Sequence, residues 1–202
     1  MTPMKRKVIA VDIDDVLGNS TEALRLEVNR QLGVNLLPEH YLVPDDYTGY
    51  YQRVWQRHGL AERMSLEQLE PFMQTNQSHV PANDKAFQTL KKLSQSYEFI
   101  VITSRPSSWR PATQQWLSDN FPGLFAKLLF TEELQFKTKG QLCVEHNASW
   151  LIDDNVDHAQ SAHDVGVDVV IFGSYGWHHK VPEHFVRCKD WAAVGKYFDE
   201  RG

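Results

Sequence analysis

The chain has 202 residues, of which 42% are hydrophobic and 23% charged, and its net charge is −5. This composition is ordinary for a globular protein, and the length allows one full domain with a sizeable insertion but not two large domains. The absence of a basic stripe argues against a nucleic acid polymer as the main partner. A small anionic substrate stays compatible if a metal ion and local cations bind it.

Other features of the whole sequence indicate in which cellular compartment the protein works. No apolar stretch approaches the ~20 residues of a membrane span, so no membrane partner is expected. The start at residues 4–7, of which three are basic, precedes an apolar run, but Asp12 cuts that run short, which argues against a secretory signal. Cys143 and Cys188 are the only cysteines, too few for a disulfide framework. We therefore expect a cytoplasmic enzyme, and nothing in the sequence indicates its oligomeric state.

The first 80 residues predict one strand followed by helices. The β-branched, apolar run at 8–11 predicts a buried strand, and the apolar spacing at 21–32 predicts a helix that Gly33 ends. Two further helical patterns cover 47–58 and 65–77, and no convincing strand appears between 38 and 80. This segment therefore predicts a helical insertion.

From residue 83 onward, predicted strands alternate with predicted helices. The strands are 97–103, 128–130, 149–152 and 167–172, and the helices are one capped by Asn83 or Asp84, 108–120, 139–146, 156–165 and one capped by Asp190 and ending at Phe198. Such alternation predicts an α/β fold: a Rossmann-like parallel sheet with helices on both faces. We assign 1–18 and 81–202 to this core and 19–80 to a helical cap inserted after the first strand.

A group of acids follows the first strand. Asp12, Asp14 and Asp15 fall within four positions, and like charges this close make ionisation costly. A single aspartate here would be read as a strand end or a helix cap. The triplet instead favours a site in which a divalent cation offsets the negative charge. One carboxylate would then act as a nucleophile, and its neighbour would transfer a proton.

Polar residues also follow two later strands. Thr103, Ser104 and Arg105 end the second strand, and Asp153 and Asp154 end a later one. Taken alone, these could be a hydroxyl turn and a helix cap. However, ligands of open α/β sheets bind at the carboxyl ends of the strands, so all of these residues are expected at one edge.

A lysine opens the helix before the acidic pair. Lys139 stands at a predicted helix start, where the helix dipole disfavours a cation and so favours a functional reason for it. An exposed lysine is the ordinary alternative, and Lys137 competes for the same role.

Together these motifs resemble the haloacid dehalogenase (HAD) superfamily of phosphatases and phosphotransferases. Its four motifs are matched in order by the Asp-x-Asp run at 12–17, the strand ending in Thr103, Lys139 and the acidic pair at 153–154. The insertion resembles the helical cap of the 5'(3')-deoxyribonucleotidase-like branch. The resemblance covers the whole predicted catalytic core.

The resemblance implies roles for these residues. Asp12 would be the nucleophile that forms an aspartyl-phosphate, and Asp14 the general acid and base. Mg²⁺ would be held by Asp12, the Asp14 backbone carbonyl, and Asp154 or Asp153, of which Asp154 matches the family's metal-binding position. Thr103 would act in catalysis by binding phosphoryl oxygens.

The remaining assignments concern the substrate. Lys139 would offset charge on the nucleophile and the phosphate, so it counts as both catalytic and substrate-binding, and Ser104 and Arg105 join Thr103 in substrate binding. Arg105 and Arg110 could meet a second anionic group, and solvated arginines are the alternative.

Two aromatic features of the sequence carry less specific expectations. Tyr47, Tyr51 and Trp55 are spaced to share one helical face, either as core of the insertion or as a clamp over a ring. His178 and His179 lack spaced partners and are not expected to bind metal.

The sequence thus predicts a magnesium-dependent phosphatase that hydrolyses a small phosphate monoester, with a nucleoside monophosphate as the leading substrate class. Two alternatives stay open. A phosphotransferase or phosphomutase would use the same intermediate, and a receiver-type phosphoacceptor domain would group similar residues around magnesium. The long insertion and the first-strand position of Asp12 argue against the receiver.

Overall fold

The computed structural model describes residues 6–135 and 137–201, and its centre is a six-stranded parallel sheet. The strands are β1 Lys7–Val11, β2 Tyr97–Thr103, β3 Phe125–Phe130, β4 Ala148–Asp153, β5 Asp168–Phe172 and β6 Val186–Cys188. Their order across the sheet is β3-β2-β1-β4-β5-β6. The predicted parallel α/β sheet is confirmed. Met4 and Lys5 of the basic start, and the outer limits 1 and 202 of the predicted core, lie outside the described residues.

Eight helices accompany the sheet: α1 Ser20–Leu32, α2 Tyr50–Arg57, α3 Leu66–Thr75, α4 Ala86–Leu93, α5 Arg110–Asn120, α6 Lys139–Glu145, α7 Val156–His163 and α8 Trp191–Asp199. Helices α1–α3 lie between β1 and β2, and none of the six strands falls in 19–80, so the predicted helical insertion is confirmed. Its boundaries at 18/19 and 80/81 stay a prediction. None of the described helices combines the length and the apolar character that crossing a bilayer requires.

Alternation along the strands gives the sheet two apolar faces. In β1, Ile9 and Val11 pack with side chains of α4, α5 and α8, whereas Val8 and Ala10 pack with side chains of α6 and α7. Successive strand residues point to opposite faces, so a continuous apolar run serves both layers. Helices therefore cover both faces of the sheet, as predicted.

The insertion has its own apolar cluster, which includes a residue of the core. Trp55 is fully buried there, and its indole N–H donates to the Tyr41 hydroxyl at 2.9 Å. Trp177, in the loop after β5, packs into the same cluster. A Cβ atom at Gly176 would lie 1.9 Å from the Tyr50 hydroxyl oxygen, so only glycine allows this close approach. The loop after β5 is thereby held against α2.

The prediction that Asn83 or Asp84 caps α4 was wrong. The helix begins at Ala86 after Lys85, whose φ is +62°, and no side chain caps it. The Asn83 side-chain amide instead donates to the Val16 carbonyl at 2.8 Å, which ties the start of this segment to the loop after β1. The cap predicted at Asp190 is confirmed, since its carboxylate accepts from the Ala193 N–H.

Two strands differ from their predictions at the edges of the sheet. Strand β6 has only three residues and was not predicted, because so short a run carries no periodic signal. Strand β3 begins at Phe125, three residues before the predicted start, and its Ala126 and Lys127 are exposed. Exposed positions on an edge strand do not show the apolar continuity from which a buried strand is recognised.

Candidate active site

The site lies at the point in the sheet where the order of successive strands reverses its direction. Strands β2 and β3 lie on one side of β1, and β4 to β6 lie on the other. Such a switch point opens a crevice at the carboxyl ends of the strands. Asp12 follows β1, Asp153 ends β4, and the Asp12 N–H donates to the Ile152 carbonyl at 3.0 Å. A cavity of about 490 Å³ opens at this point, with Asp12, Asp14, Lys139 and Asp154 in its lining.

Lys139 joins the two strand ends. Its ammonium nitrogen lies 2.8 Å from Asp12 Oδ1 and 2.7 Å from Asp153 Oδ2, and the residue is only 1% exposed. The two carboxylates offset the unfavourable position of a cation at the start of α6. Lys137, the competing lysine, instead forms an exposed pair with Glu145. The structure therefore brings Lys139, and not Lys137, to the site.

Helix α6 can carry Lys139 to this position because it approaches α7 closely. Thr138 caps the helix, and its hydroxyl accepts from the Gln141 N–H. A Cβ atom at Gly140 would lie 2.0 Å from the Ser161 carbonyl oxygen, so a larger residue would push the two helices apart. The glycine after Lys139 is thus part of what places the ammonium group.

Three buried carboxylates meet beside this lysine. Asp12, Asp153 and Asp154 each offer an oxygen, and these oxygens lie within 4.8 Å of one another. Burial raises the pKa of Asp12 to about 7, an effect that the Lys139 charge opposes and the Asp153 charge increases. Burial and the charges of Asp153 and Asp12 raise the pKa of Asp154 well above its usual value. One lysine does not balance this cluster, and carboxylate oxygens are the ligands that Mg²⁺ prefers, so the residues fit a divalent cation.

Asp154 is held in place by the loop after β5. The Trp177 indole N–H donates to Asp154 Oδ2 at 3.0 Å, and His178 Nε2 lies 2.6 Å from the Asp154 carbonyl oxygen. The Tyr175 N–H donates to His178 Nδ1 at 3.4 Å. A carbonyl only accepts and an amide N–H only donates, so His178 is neutral with its proton on Nε2.

Sequence reasoning did not find Trp177 or a role for His178. The loop after β5 has no periodicity, and its neighbouring glycines indicated only a turn. Among the described residues, neither His178 nor His179 belongs to the carboxylate cluster at the metal position. His178 acts on that cluster through a backbone carbonyl, which a pattern of ligand spacing cannot reveal.

Asp14 has the opposite electrostatic surroundings to Asp12. The Arg105 guanidinium reaches its two oxygens from Nε at 2.7 Å and Nη2 at 2.6 Å, and the Ser20 hydroxyl donates to it at 2.5 Å. Burial opposes ionisation of Asp14, but the charge and hydrogen bonds of Arg105 outweigh it and lower its pKa. Two acids separated by one residue thus have pKa values shifted in opposite directions, an arrangement typical of acid–base sites.

Arg105 reaches the cavity wall but does not stand free for substrate. Besides Asp14, its Nη1 donates to the Gln77 side chain and lies 3.3 Å from the Thr113 hydroxyl. Gln77 follows α3, so the guanidinium connects the loop after β2 with the insertion. Arg105 is 4% exposed, and four of its five N–H groups donate to protein side chains, so the contact with substrate that the sequence predicted stays a prediction.

The two hydroxyl residues after β2 have different positions. Thr103 is fully buried, its hydroxyl accepts from the Arg105 N–H at 3.2 Å, and it is absent from the described cavity lining. Ser104 is exposed in the cavity, and its hydroxyl lies 3.3 Å from His158 Nε2. The roles predicted for both residues stay predictions, and of the two only Ser104 faces the open space.

Asp15, the third acid of the triplet, anchors the start of the insertion. Its carboxylate accepts from the Thr21 N–H at 2.9 Å and from the Thr21 hydroxyl at 2.6 Å, and the Tyr51 hydroxyl lies 3.5 Å away. Burial raises the pKa of Asp15 to about 6, although these hydrogen bonds oppose the shift. The crowded triplet thus separates into three carboxylates with three different sets of partners.

The insertion forms the opposite wall of the cavity. Its lining includes Tyr47, Tyr51, Leu66, Glu67, Leu69, Glu70 and Met73. Of the three aromatic residues predicted to share a helical face, Trp55 lies in the insertion core, while Tyr47 precedes α2 and only Tyr51 both lines the cavity and lies on that helix. Arg110 pairs with Glu133 and is not among the described lining residues.

Solved structures share this architecture. No protein-family model matches the chain, and no curated protein sequence matches it. A HAD-like protein of unknown function from Agrobacterium tumefaciens is similar with a TM-score of 0.64 and 13% identity, over 98% of this chain and 99% of that one. The chain therefore shares the fold of this HAD-like protein.

Two further HAD structures extend this comparison. A predicted phosphoglycolate phosphatase from Haemophilus somnus is similar with a TM-score of 0.63 and 18% identity, over 96% of this chain and 99% of that one. A HAD hydrolase from Bacillus subtilis, in a structure bound to magnesium, gives a TM-score of 0.62 and 12% identity, with the same coverage. At these identities the similarity concerns the fold, and the 5'(3')-deoxyribonucleotidase-like branch is not confirmed by it.

Proposed function

We propose that this protein is a magnesium-dependent phosphatase that hydrolyses a small phosphate monoester through an aspartyl-phosphate on Asp12. The observation that carries the proposal is the placement of Asp12. It lies at the base of a cavity, 2.8 Å from the buried ammonium of Lys139 and within a cluster of carboxylates that fits a divalent cation. The HAD hydrolase fold supports the same reaction class.

The metal would be held by Asp12, the Asp14 backbone carbonyl and Asp154. Both oxygens of Asp153 have partners, since Oδ2 pairs with Lys139 and Oδ1 accepts from the Asn155 N–H. Asp154 keeps a carboxylate oxygen without a protein donor among the described residues, which favours it over Asp153 as a ligand. When bound, Mg²⁺ would offset the charge of the nucleophile and of the phosphoryl oxygens.

The chain's own residues would divide the remaining work. Asp12 attacks phosphorus, and Lys139 neutralises negative charge on the carboxylate and the phosphoryl group. Asp14 stands ionised against Arg105, the form that accepts a proton from the attacking water. To protonate the leaving oxygen, Asp14 must gain a proton at the expense of that ion pair. Ser104, at the cavity surface, and Thr103 behind it would bind phosphoryl oxygens.

A nucleoside monophosphate is our proposed substrate class within this reaction. The cavity volume of about 490 Å³ is in the range of small-molecule sites, and Tyr47, Tyr51 and Trp109 offer aromatic surface along its wall. The buried free thiols of Cys143 and Cys188 agree with the cytoplasmic, reducing location that we propose.

A phosphotransferase or phosphomutase would use the same intermediate. A β-phosphoglucomutase-like protein from Bacteroides vulgatus shares the fold, with a TM-score of 0.60, 16% identity, and coverage of 97% of this chain and 88% of that one. Product analysis separates the activities, because a phosphatase releases inorganic phosphate whereas a transferase yields a second ester. A stable phosphoprotein that does not turn over would instead indicate the receiver-type alternative.

The proposal is tested by turnover of a panel of phosphate monoesters with and without Mg²⁺. Asp12→Asn should lower kcat by at least about 10³-fold, because the amide cannot act as the nucleophile. Asp84→Asn, at an exposed position outside the cavity, is the matched control and should keep full activity. Full activity of Asp12→Asn, or turnover that does not depend on Mg²⁺, would overturn the proposal.

A further inference from the structure

The charge balance of the cavity differs between its base and its outer wall. At the base, two cations offset part of the negative charge: Lys139 pairs with Asp12 and Asp153, and Arg105 pairs with Asp14. On the outer wall, α3 presents Glu67 and Glu70, which are three residues apart and therefore share one face of the helix. Both side chains are exposed, and neither has an ion-pair partner among the described residues.

No described cation of the lining is available for a second negative charge. Besides Lys139 and Arg105, the only basic side chain in the described lining is His158. Burial and the Lys139 charge lower the pKa of His158, so it is neutral at pH 7. Arg110, which the sequence suggested for a second anionic group, pairs with Glu133 instead. A carboxylate or second phosphate on the substrate would therefore meet two glutamates without a compensating cation.

The surface between the base and these glutamates is apolar and aromatic. Tyr47, Tyr51, Leu66, Leu69 and Met73 line it from the insertion, and Trp109 lines it from the core. Such a surface favours a ring or an alkyl chain in the leaving group.

Resting on the proposed function, we propose that the enzyme selects phosphate monoesters whose leaving group is uncharged or cationic, and that Glu67 and Glu70 reject a second anionic group. The phosphoryl group would bind at the base, while the leaving group extends along the aromatic surface towards α3. Nucleosides satisfy this rule. Phosphoglycolate does not satisfy it, because its leaving group carries a carboxylate; one of the similar structures is described as a predicted phosphoglycolate phosphatase.

The presence of Glu67 in α3 can also be explained without a substrate. Glu67 lies in the first turn of α3, where a negative charge stabilises the helix dipole. Glu70 lies one turn further along, where the dipole gives less reason for an acid. Glu70→Gln is therefore the more informative single variant, and the double variant Glu67→Gln, Glu70→Gln gives the larger effect.

The test uses three phenyl phosphates that differ only in the charge of the para group: aminomethyl, hydroxymethyl and carboxymethyl. For the wild-type enzyme with Mg²⁺, kcat/KM should fall in that order, with about a tenfold difference between the cationic and anionic esters at low salt. High salt should reduce this difference, because the glutamates are exposed. The double variant should lose most of the difference and keep its rate on the hydroxymethyl ester.

Glu62→Gln is the matched control, since Glu62 is an exposed acid of the insertion that is absent from the described lining. It should keep the full charge preference. Turnover without charge preference, or a preference that survives in the double variant, would overturn this inference while leaving the proposed function in place. The proposed function would instead be overturned if the enzyme showed no Mg²⁺-dependent turnover of these three esters and none of the phosphate monoesters in the panel above.

Discussion

The base of the cavity and its insertion wall handle charge in opposite ways. At the base, Asp12, Asp153 and Lys139 are almost fully buried and interact within 3 Å, so each charge depends on its neighbours. On the wall, Glu67 and Glu70 are exposed to water. Coulomb interactions are several-fold stronger in a buried site than at a surface. We conclude that substitutions at the base should alter chemistry and stability together, while substitutions on the wall should alter selectivity.

The largest expected effect concerns Lys139. Lys139→Met leaves Asp12 and Asp153 buried without their cation, so we expect the metal-free protein to lose about 3–5 kcal/mol of unfolding free energy and activity to fall sharply. Lys137→Met is the matched control, because its pair with Glu145 is exposed and is worth at most about 1 kcal/mol. Urea unfolding measures both variants. Equal losses in the two variants would contradict the contrast between buried and exposed charge.

The stability of the metal-free protein should depend on pH, because the buried carboxylates at the base of the cavity are costly to ionise. The pKa of Asp12 is raised to about 7 and that of Asp15 to about 6, so between pH 4 and these values the unfolded chain releases protons that the folded protein retains. Stability from these two groups is therefore greatest at low pH and falls as the pH rises, by roughly 7 kcal/mol in total for shifts of this size. Asp14 acts in the opposite sense, because its lowered pKa adds stability that is lost in acid.

Unfolding of the metal-free protein at pH 4.5, 6 and 8 measures this balance. Asp12→Asn should flatten the loss of stability towards pH 8, and Mg²⁺ should restore stability in the wild type but not in the variant. A wild-type protein that gains stability steadily from pH 4.5 to 8 without metal would contradict the electrostatic account of the base.

A smaller effect is expected from the loop that holds Asp154. Trp177→Phe removes the indole N–H that donates to Asp154 Oδ2, and the loss of such a supporting hydrogen bond should weaken Mg²⁺ binding about tenfold. Asp154→Asn should weaken it more. The readout is the Mg²⁺-induced shift in Tm, with Trp55→Phe as the control for loss of a buried indole in the same apolar cluster. An unchanged Mg²⁺ titration in Asp154→Asn would move the metal-binding role to Asp153.

The smallest expected effect lies on the wall. Tyr51→Phe removes the hydroxyl that lies 2.7 Å from the Thr21 hydroxyl and should cost about 1 kcal/mol of stability. Its kcat on a small ester should stay within about twofold of wild type, because the Tyr51 hydroxyl is hydrogen-bonded to Thr21 and lies near Asp15, and among the described residues it makes no hydrogen bond to Asp12 or Lys139. A large loss of kcat would show that the wall takes part in the chemistry.

The fold was predictable because its signals are local. The apolar run before Asp12 and the strand ending in Thr103 are continuous, and Gly33, with a φ of +64°, ends α1 where the sequence indicated. The α4 start was not predictable, because Asn83 bonds to the Val16 carbonyl, 67 residues away in sequence. A capping preference describes only the neighbouring backbone.

The site was predictable as a set of residues but not as a network. Strand ends identified Asp12, Asp153 and Asp154, and the structure brings them within 4.8 Å of one another. The sequence did not show that Arg105 is engaged by Asp14, or that Trp177 holds Asp154. Both contacts join distant segments and follow no period, so only the folded structure reveals them.

The most direct test of the central claim, phosphoryl transfer to Asp12, is the stereochemical course of hydrolysis of a phosphorothioate monoester. The ester is made chiral at phosphorus with two oxygen isotopes, and the hydrolysis takes place in water that carries the third isotope. Attack by Asp12 followed by attack of water comprises two in-line displacements, each of which inverts the configuration at phosphorus. The account predicts net retention of configuration in the inorganic thiophosphate released by the wild-type enzyme. Net inversion would show a single direct attack by water and would contradict the proposed aspartyl-phosphate.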